Sequence, residues 1–401
     1  MNRVEHSGIV LAITFAIATI CCLGQTATTA NNQRQKAIML EQQGNNTEAE
    51  AAWRAFSEAH PANAEAYAHL GFLEARQEHY SEAISLYRKV LALNPSMPGL
   101  KLNLGLALFK SGVLKQAIQI FTPLLKSQPS SSPGVLRLNV LIGMAHYGLG
   151  EYAEAVPYLK EAAILDPKSL QLRLALVQSC LGSKQYQCVL DTYREILMLN
   201  AESAEADMLA GEALDEMKDS TGAMQQFRAA IKVNSKEPNV HFGLGYLLWK
   251  LDRYEEAGRE FEAELENIPN HVLALAYLGD VKMKLQDPDS AQTILEKVIG
   301  IDPGLELAHL DLGILYFDAS RRDDALRQLV AAEKIDPNDV SVHWRLARLY
   351  QAMGKKDEAK AEFIRTRNLH KTTDETVFDK LRNNSVSGTS LEPATATSAE
   401  K

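Results

Sequence analysis

Residues 269–303 read PNHVLALAYLGDVKMKLQDPDSAQTILEKVIGIDP and contain one full period of the pattern that decides the fold. Pro269 and Pro303 are 34 residues apart, with Gly279 and Ala291 at fixed places between them. Apolar side chains lie around these landmarks at spacings of three and four residues, which is typical of amphipathic helices. Proline ends the second helix, because the residue before a proline is disfavoured in helical geometry. The stretch therefore predicts an antiparallel hairpin of two helices, a helix A followed by a helix B.

The same landmarks recur along most of the chain, with one insertion of four residues before Pro167. A period kept this regularly indicates a repeat architecture, in which each hairpin buries its apolar face against its neighbours. The end of helix B is marked at Pro61, Pro95, Pro129, Pro167, Ala201, Ser235, Pro269, Pro303 and Pro337. The small residue of helix A is Ala37, Gly71, Gly105, Gly143, Gly211, Gly245, Gly279, Gly313 or Ala347. The small residue of helix B is Ala49, Ala83, Ala117, Ala155, Ala223, Ala257, Ala291, Ala325 or Ala359.

The small residues have a physical reason to recur in pairs. Two packed helices lie about 8–10 Å apart, and a large side chain at the closest crossing would force them further apart. We therefore expect the Gly of helix A to face the Ala of helix B within each hairpin.

The landmarks resemble those of the tetratricopeptide repeat (TPR) family. One repeat carries the family pattern at Tyr67, Leu70-Gly71, Ala83, Tyr87 and Pro95. Another carries it at His309, Leu312-Gly313, Tyr316, Ala325, Leu329, Ala332 and Pro337. The resemblance covers about residues 30 to 371, or ten repeats. It implies an all-α fold, a right-handed α-α superhelix of antiparallel helix pairs.

The two ends of the chain differ from the array. Arg3 precedes an uncharged run from Ser7 to Leu23 and then small polar residues, the layout of a secretory signal peptide. We therefore expect a signal peptide at 1–30 and a TPR array at 31–371. A retained membrane anchor and a lipoprotein signal at Cys21 or Cys22 are the alternatives. Residues 372–383 are predicted to form a capping helix, and residues 384–401 lack large apolar side chains and are predicted to form a disordered tail.

Two cysteines remain after removal of the signal peptide, and both lie in the fifth repeat. Cys180 falls on helix A and Cys188 near the start of helix B, so they face each other across one hairpin. Val177 and Val189 replace the small residues there, which should hold the two helices apart. An exported protein meets an oxidising environment, where a Cys180–Cys188 disulfide could offset this separation. Two small buried apolar side chains are the alternative.

Composition and motifs argue against several functions. The net charge is -9, and we found no basic stripe of the kind that nucleic-acid binding needs. No nucleophile motif, P-loop or dinucleotide-binding glycine run occurs, so we predict no catalytic residues and no cofactor. His241, His309 and His343 occupy the same place in their repeats. Equivalent side chains one repeat apart are too distant to converge on one ion, so no metal is predicted.

The resemblance implies a binding surface on the concave face, lined by side chains of helix A. The equivalent positions hold Phe72, Phe109, Met144, Tyr147, Phe242, Tyr246, Trp249, Tyr277, Phe317 and Trp344, with Arg345 and Arg348 near the end of the array. Large apolar side chains in an accessible groove indicate an interaction site, and Trp and Tyr are frequent interface anchors. Several of them could instead turn sideways and pack between repeats.

The sequence thus predicts an exported, periplasmic or secreted scaffold that binds protein partners or extended peptides and performs no chemistry. No nucleic-acid partner and no membrane span in the mature chain are expected, and the oligomeric state is open. An accessory subunit of a cell-envelope secretion, pilus or polysaccharide-export assembly is the first alternative. A carbohydrate-binding protein or an enzyme that uses the aromatic groove is the second.

Overall fold

The computed structural model describes residues 29–129, 132–199 and 202–369. Twenty helices fill these residues, and no strand occurs within them. Helix α1 runs over 29–42. The others are α2 Asn46–Ala59, α3 Ala64–Arg76, α4 Tyr80–Leu93, α5 Leu100–Lys110, α6 Leu114–Ser127, α7 Pro133–Gly148, α8 Tyr152–Leu165, α9 Leu170–Gly182, α10 Tyr186–Met198, α11 Ala204–Glu216, α12 Ser220–Val233, α13 Val240–Lys250, α14 Tyr254–Asn267, α15 Val272–Lys284, α16 Pro288–Ile301, α17 Glu306–Asp318, α18 Arg322–Ile335, α19 Val340–Ala352 and α20 Lys356–Leu369.

The helices form ten hairpins, numbered repeats 1 to 10, in which each odd-numbered helix is helix A and the next is helix B. The predicted all-α array of helix pairs is confirmed. The chain divides into two compact bodies, an N-terminal body up to Leu172 and a C-terminal body from Arg173. Within the described residues, no helix combines the length and the apolar character that crossing a bilayer requires.

The turn from helix A to helix B is built in the same way in every repeat. One residue in each turn has a positive φ, the left-handed region. Only four of the ten are glycines, and the others accept a conformation that L-residues usually avoid. The residues are Gly44, Glu78, Gly112, Gly150, Lys184, Lys218, Asp252, Gln286, Ser320 and Gly354. Because they follow the 34-residue period, the turn is fixed by its place in the repeat rather than by its residue type.

The small residue of helix A faces a large side chain of helix B, not the alanine that we expected. A Cβ atom built on Gly71 would lie 2.7 Å from Cε1 of Tyr87, and one on Gly105 would lie 2.4 Å from Cε1 of Phe121. The ring or leucine stands four positions after the alanine and covers the bare glycine backbone. The same pairing occurs at Gly143–Leu159, Gly211–Phe227, Gly245–Phe261, Gly279–Leu295 and Gly313–Leu329. The glycine therefore makes room for the ring or leucine side chain of helix B.

The fifth repeat solves the same packing problem differently. Val177 and Val189 are fully buried, so the valine side chains fill the crossing. The residue that would cover a glycine here is Tyr193, which turns toward the sixth repeat instead. Its hydroxyl lies 2.6 Å from Oδ1 of Asp207 and 2.8 Å from Oε1 of Gln226. A disulfide joins Cys180 on α9 to Cys188 on α10, with their Cα atoms 5.8 Å apart.

A buried carboxylate replaces the usual cap at the start of α13. The N-cap residue Asn239 has a positive φ and makes no side-chain cap, because its Oδ1 accepts a hydrogen bond from Nε2 of His271. Glu264 on α14 accepts instead from the backbone N–H groups of Asn239, His241 and Phe242, at 2.9, 3.2 and 3.2 Å. Its negative charge at a helix N-terminus also favours the helix dipole.

Three predicted segments lie outside the described residues. They are residues 1–28 of the predicted signal peptide, the predicted capping helix at 372–383 and the predicted tail at 384–401.

Candidate partner-binding surface

The predicted surface residues of the C-terminal body lie on helices A of successive repeats. Helices α11, α13, α15, α17 and α19 contact one another in this order. Phe242, Tyr246 and Trp249 are on α13, and Tyr277 is on α15. Phe317 is on α17, and Trp344, Arg345 and Arg348 are on α19. The structure therefore places these side chains along one layer of helices.

Two of the predicted groove residues belong to the core. Phe242 has no exposed surface and Tyr277 only 7 %. The Phe242 ring centroid lies 5.2 Å from that of His271 and 5.8 Å from that of Phe261. Burial holds the pKa of the Tyr277 hydroxyl well above its usual value. The prediction that Phe242 and Tyr277 line a groove is wrong, because both rings fill the space between α13, α14 and α15.

Tyr246 and Trp249 are half-buried and packed at the edge of the same aromatic cluster. The Tyr246 ring stacks on that of Trp249 at 5.8 Å, and each meets the Tyr277 ring edge-on, at 5.3 and 5.0 Å. Trp249 donates from Nε1 to Oδ2 of Asp280 at 2.6 Å. Burial raises the pKa of Tyr246 to about 12. Both side chains stabilise the contact between repeats 7 and 8 and leave part of their surface to solvent.

Trp344, Arg345 and Arg348 form an accessible basic and aromatic group. Trp344 is 37 % exposed. The guanidinium carbons of Arg345 and Arg348 lie 4.8 and 5.2 Å from its ring centroid, within cation–π range. Burial lowers the pKa of Arg345, the negative charge of Asp318 partly offsets this effect, and the positive charge of Arg348 lowers the pKa further. Within the described part of the chain neither guanidinium forms an ion pair with a carboxylate, so both remain able to bind one.

Two further predicted residues, Phe317 and Tyr147, are half-buried. Phe317 packs against the core of the C-terminal body. Tyr147 lies on α7 of the N-terminal body, where its ring meets that of Tyr152 at 5.5 Å. The predicted binding role of these two residues stays a prediction.

The three equivalent histidines bond within their own hairpins. Each histidine uses its Nδ1 atom for this contact. Nδ1 of His241 lies 2.7 Å from Oε2 of Glu260, and Nδ1 of His309 lies 2.7 Å from Oε1 of Gln328. Nδ1 of His343 lies 2.6 Å from Oε2 of Glu362. The ring thus ties helix A to helix B of the same repeat. The Glu260 carboxylate raises the pKa of His241 through this hydrogen bond.

One cluster in the C-terminal body has the composition of a metal site. Glu333, His343 and Glu362 each place one possible ligand atom within 4.8 Å of the others. However, Nη1 of Arg365 lies 3.2 Å from Oε1 of Glu333, and Nε2 of His343 is 2.9 Å from the Pro337 carbonyl oxygen. Because the guanidinium already supplies positive charge to the carboxylate, the contacts describe an ion-pair network between repeats 9 and 10.

A second accessible surface lies on the N-terminal body, and sequence reasoning found only part of it, because it named Phe72, Phe109 and Met144 but neither Leu102 nor Leu106. The side chains of Phe72, Leu102, Leu106, Phe109 and Met144, on helices α3, α5 and α7, are half-buried or exposed. Beside Leu102 is a pocket of about 350 Å³, where α5 and α7 begin and α6 ends. Its lining includes Met97, Lys101, Leu102, Leu124, Arg137 and Leu138. A signal for it was present in the sequence, since no acidic residue occurs between Glu82 and Glu151.

Comparison with known families agrees with the array of helix pairs. Models of the tetratricopeptide repeat match residues 35–98, 74–138, 136–169, 208–272, 242–306, 282–343 and 316–375. These matches cover well over half of the chain, and the protein belongs to the tetratricopeptide repeat family. Residues 170–207, which contain the divergent fifth repeat, lie outside the matches.

Solved structures of other proteins are similar to parts of this chain. YrrB, described as a TPR protein with an unusual peptide-binding site, is 18% identical, with a TM-score of 0.37 over 48% of this chain and 97% of its own. PilF of Pseudomonas aeruginosa is 16% identical, with a TM-score of 0.46 over 54% and 96%. MamA of Desulfovibrio magneticus RS-1 is 20% identical, with a TM-score of 0.38 over 43% and 97%. No curated protein sequence matches the chain.

Proposed function

We propose that this protein is a non-catalytic scaffold that binds protein partners or extended peptides on the helix A face of its repeats. The group formed by Trp344, Arg345 and Arg348 carries this proposal. A partly exposed tryptophan flanked by two guanidinium groups offers an apolar anchor and two donors for carboxylates. Within the described residues neither guanidinium has a carboxylate at ion-pair distance, and only Arg345 is attracted at longer range, by Asp318 and Asp311, so a partner can supply a direct carboxylate contact.

We further propose that the protein is exported after removal of a signal peptide at 1–30. The Cys180–Cys188 disulfide supports this proposal, because disulfides persist in oxidising compartments and are rare in the cytosol. Export also keeps open the second candidate function, an accessory subunit of a cell-envelope assembly. A capping helix at 372–383 would cover the apolar side chains of α20, among them Phe363 and Ile364, which are 38 and 43 % exposed.

The test is capture of a partner from cell-envelope extract, followed by binding measurements with purified variants. We expect Trp344→Ala to weaken binding by about 1–4 kcal/mol. Glu256→Ala is the control, since this carboxylate lies on α14, a helix B, and pairs with its neighbour Arg253. Unchanged binding by Trp344→Ala, Arg345→Ala and Arg348→Ala would exclude this part of the surface.

A further inference from the structure

A stretch of the N-terminal body has a charge opposite to that of the whole protein. The chain carries 51 acidic and 42 basic residues, yet none of the acidic ones lies between Glu82 and Glu151. Seven basic residues lie in that interval: Arg88, Lys89, Lys101, Lys110, Lys115, Lys126 and Arg137. In a chain with a net charge of -9, this segment places concentrated positive charge on helices α4 to α7.

All seven basic side chains are exposed. In the described residues none of them is paired with a carboxylate. Arg88 donates to the neutral Oε1 of Gln116 at 2.8 Å, and the ammonium of Lys89 lies 3.8 Å from the Tyr67 ring centroid. Within the described chain their charge is therefore not neutralised by ion pairing, and it produces a positive potential that attracts anionic groups.

The pocket of about 350 Å³ lies within this positive segment. Its aliphatic lining comes from Met97, Leu102, Leu124 and Leu138, and Lys101 and Arg137 stand at its edge. Leu102 is only partly buried and packs against the core of the N-terminal body. The pocket thus combines an apolar floor, which suits an aliphatic side chain, with two cations that suit carboxylates.

The lining also discriminates between anionic partners. Single-stranded nucleic acids are held by stacking of bases on aromatic side chains, and the described residues that line this pocket include no aromatic ring. A peptide in which an apolar side chain is followed or preceded by carboxylates matches both the apolar floor of the pocket and the cations at its edge.

We propose that the surface of helices α5, α6 and α7 binds an acidic segment of a partner protein, with one aliphatic side chain in the pocket and carboxylates at Lys101 and Arg137. The proposal rests on the scaffold function above and specifies the chemistry of one partner. Charge complementarity favours an acidic peptide as the ligand, because the seven cations have no acidic partner in the described chain.

The experiment uses the full chain and a labelled peptide composed of Glu, Asp and Leu, with binding followed by fluorescence anisotropy. We expect the double variant Lys101→Glu/Arg137→Glu to weaken binding about tenfold or more, because it replaces attraction by repulsion at both edges of the pocket. The matched control is Lys232→Glu/Lys334→Glu, which makes the same charge change at exposed positions of the C-terminal body. Circular dichroism melting verifies that both variants are folded.

Two further peptides separate the contribution of charge from that of the aliphatic side chain. A peptide of Lys and Leu should not bind, and one of Glu, Asp and Ser should bind more weakly than the leucine peptide because the pocket stays unfilled. Added NaCl should weaken binding of the acidic peptide, since salt screens exposed charges. The proposal is wrong if the Lys101→Glu/Arg137→Glu variant binds the acidic peptide as tightly as the native protein does, or if the basic peptide binds equally well.

Other occupants give different results. Tighter binding of an RNA oligonucleotide or of phosphatidylserine vesicles, with the same sensitivity to Lys101→Glu/Arg137→Glu, would assign the surface to a polyanion and overturn the proposal. Self-association that the same variant abolishes would assign the surface to a second copy of the chain and also overturn it. If the acidic-peptide proposal fails, the scaffold function is still tested by the capture experiment with Trp344→Ala. The two hypotheses can therefore be refuted independently.

Discussion

A Cβ atom on Gly245 would lie 2.8 Å from Cε1 and 2.9 Å from Cδ1 of Phe261. The Phe261 ring is fully buried and lies against the bare backbone of α13, so the hairpin closes only because position 245 has no side chain. Each hairpin with a glycine at this place repeats the relationship with a ring or a leucine of its helix B. The stability of the array therefore depends on a set of contacts in which one partner is a glycine.

The first prediction concerns this contact. Gly245→Leu should destabilise repeat 7 by about 1–3 kcal/mol, because the added atoms overlap the Phe261 ring and force α13 away from α14. Hydrogen exchange followed by mass spectrometry should show faster exchange in repeat 7 and its neighbours, since each repeat contacts only the adjacent ones. Equal loosening of repeat 2 would contradict this expectation. The control is Gly300→Ala, at an exposed helical site where the added Cβ atom would have no neighbouring atom within 4 Å. This variant should stabilise the protein by up to about 1 kcal/mol, because alanine favours the helix more than glycine does.

The second prediction concerns the carboxylate that caps α13. Glu264→Ala should destabilise the C-terminal body by about 1–3 kcal/mol or more, because three backbone N–H groups lose their acceptor in a buried place. Glu264→Gln should cost less, since one acceptor oxygen remains. Urea unfolding measures both effects. Glu262→Gln is the control, because this 52 % exposed carboxylate pairs with Lys282 at the surface. It should change the free energy of unfolding by less than about 1 kcal/mol.

The third prediction concerns two histidines whose pKa values move in opposite directions. The hydrogen bond to Glu260 raises the pKa of His241 above 6.5, whereas burial lowers the pKa of His271 below it. The stability that His241 contributes is therefore full below pH 6.5 and is lost as the pH rises through its folded pKa. The contribution of His271 is full above pH 6.5 and is lost as the pH falls from 6.5 toward its folded pKa.

Unfolding in urea at pH 5.5 and pH 8 separates the two histidines. His241→Gln should destabilise more at pH 5.5 than at pH 8. His271→Asn keeps an N-cap acceptor for the Ala274 N–H group and should remove part of the stability loss that the native protein shows on acidification. The assignment is refuted if both variants change the pH dependence in the same direction.

The fourth prediction concerns the disulfide. Non-reducing mass spectrometry of the native protein should find the Cys180 and Cys188 peptides linked. Cys188→Ser should destabilise repeat 5 by about 2–3 kcal/mol, because it opens a loop with a sequence separation of 8 and frees the unfolded chain. Two free thiols in oxidised native material would show that the buried valines hold the repeat together without the bond.

The fifth prediction distinguishes the two tryptophans of the proposed surface. Trp249→Ala should lower the melting temperature, because it removes the hydrogen bond to Asp280 and the ring contacts with Tyr246 and Tyr277. Trp344→Ala should leave the melting temperature nearly unchanged, since this ring is partly exposed and packs against two arginines. A large loss of stability in Trp344→Ala would place that ring in the core.

Much of the fold was predictable because its signals are local and repeated. The 34-residue period set the number and order of the hairpins, and the departures at Val177 and Val189 marked the unusual fifth repeat. The partner of the helix A glycine was not predictable from spacing alone. Both Ala257 and Phe261 lie on the inward side of α14, and only the assembled hairpin shows that the Phe261 ring covers Gly245.

The accessible sites were predictable only in part, as Phe242 and Trp344 show. These residues occupy equivalent positions three repeats apart, yet Phe242 has no exposed surface and Trp344 is 37 % exposed. Phe242 is covered because two rings pack against it, that of His271 at the N-cap of α15 and that of Tyr277 on α15, the next helix A. Within the described chain, α19 has no following helix A to cover Trp344. The sequence by itself determined the repeat, its register and its charge pattern, because these depend on neighbours along the chain. Exposure depends on neighbours in space, so only the tertiary structure decided which equivalent side chains a partner can reach.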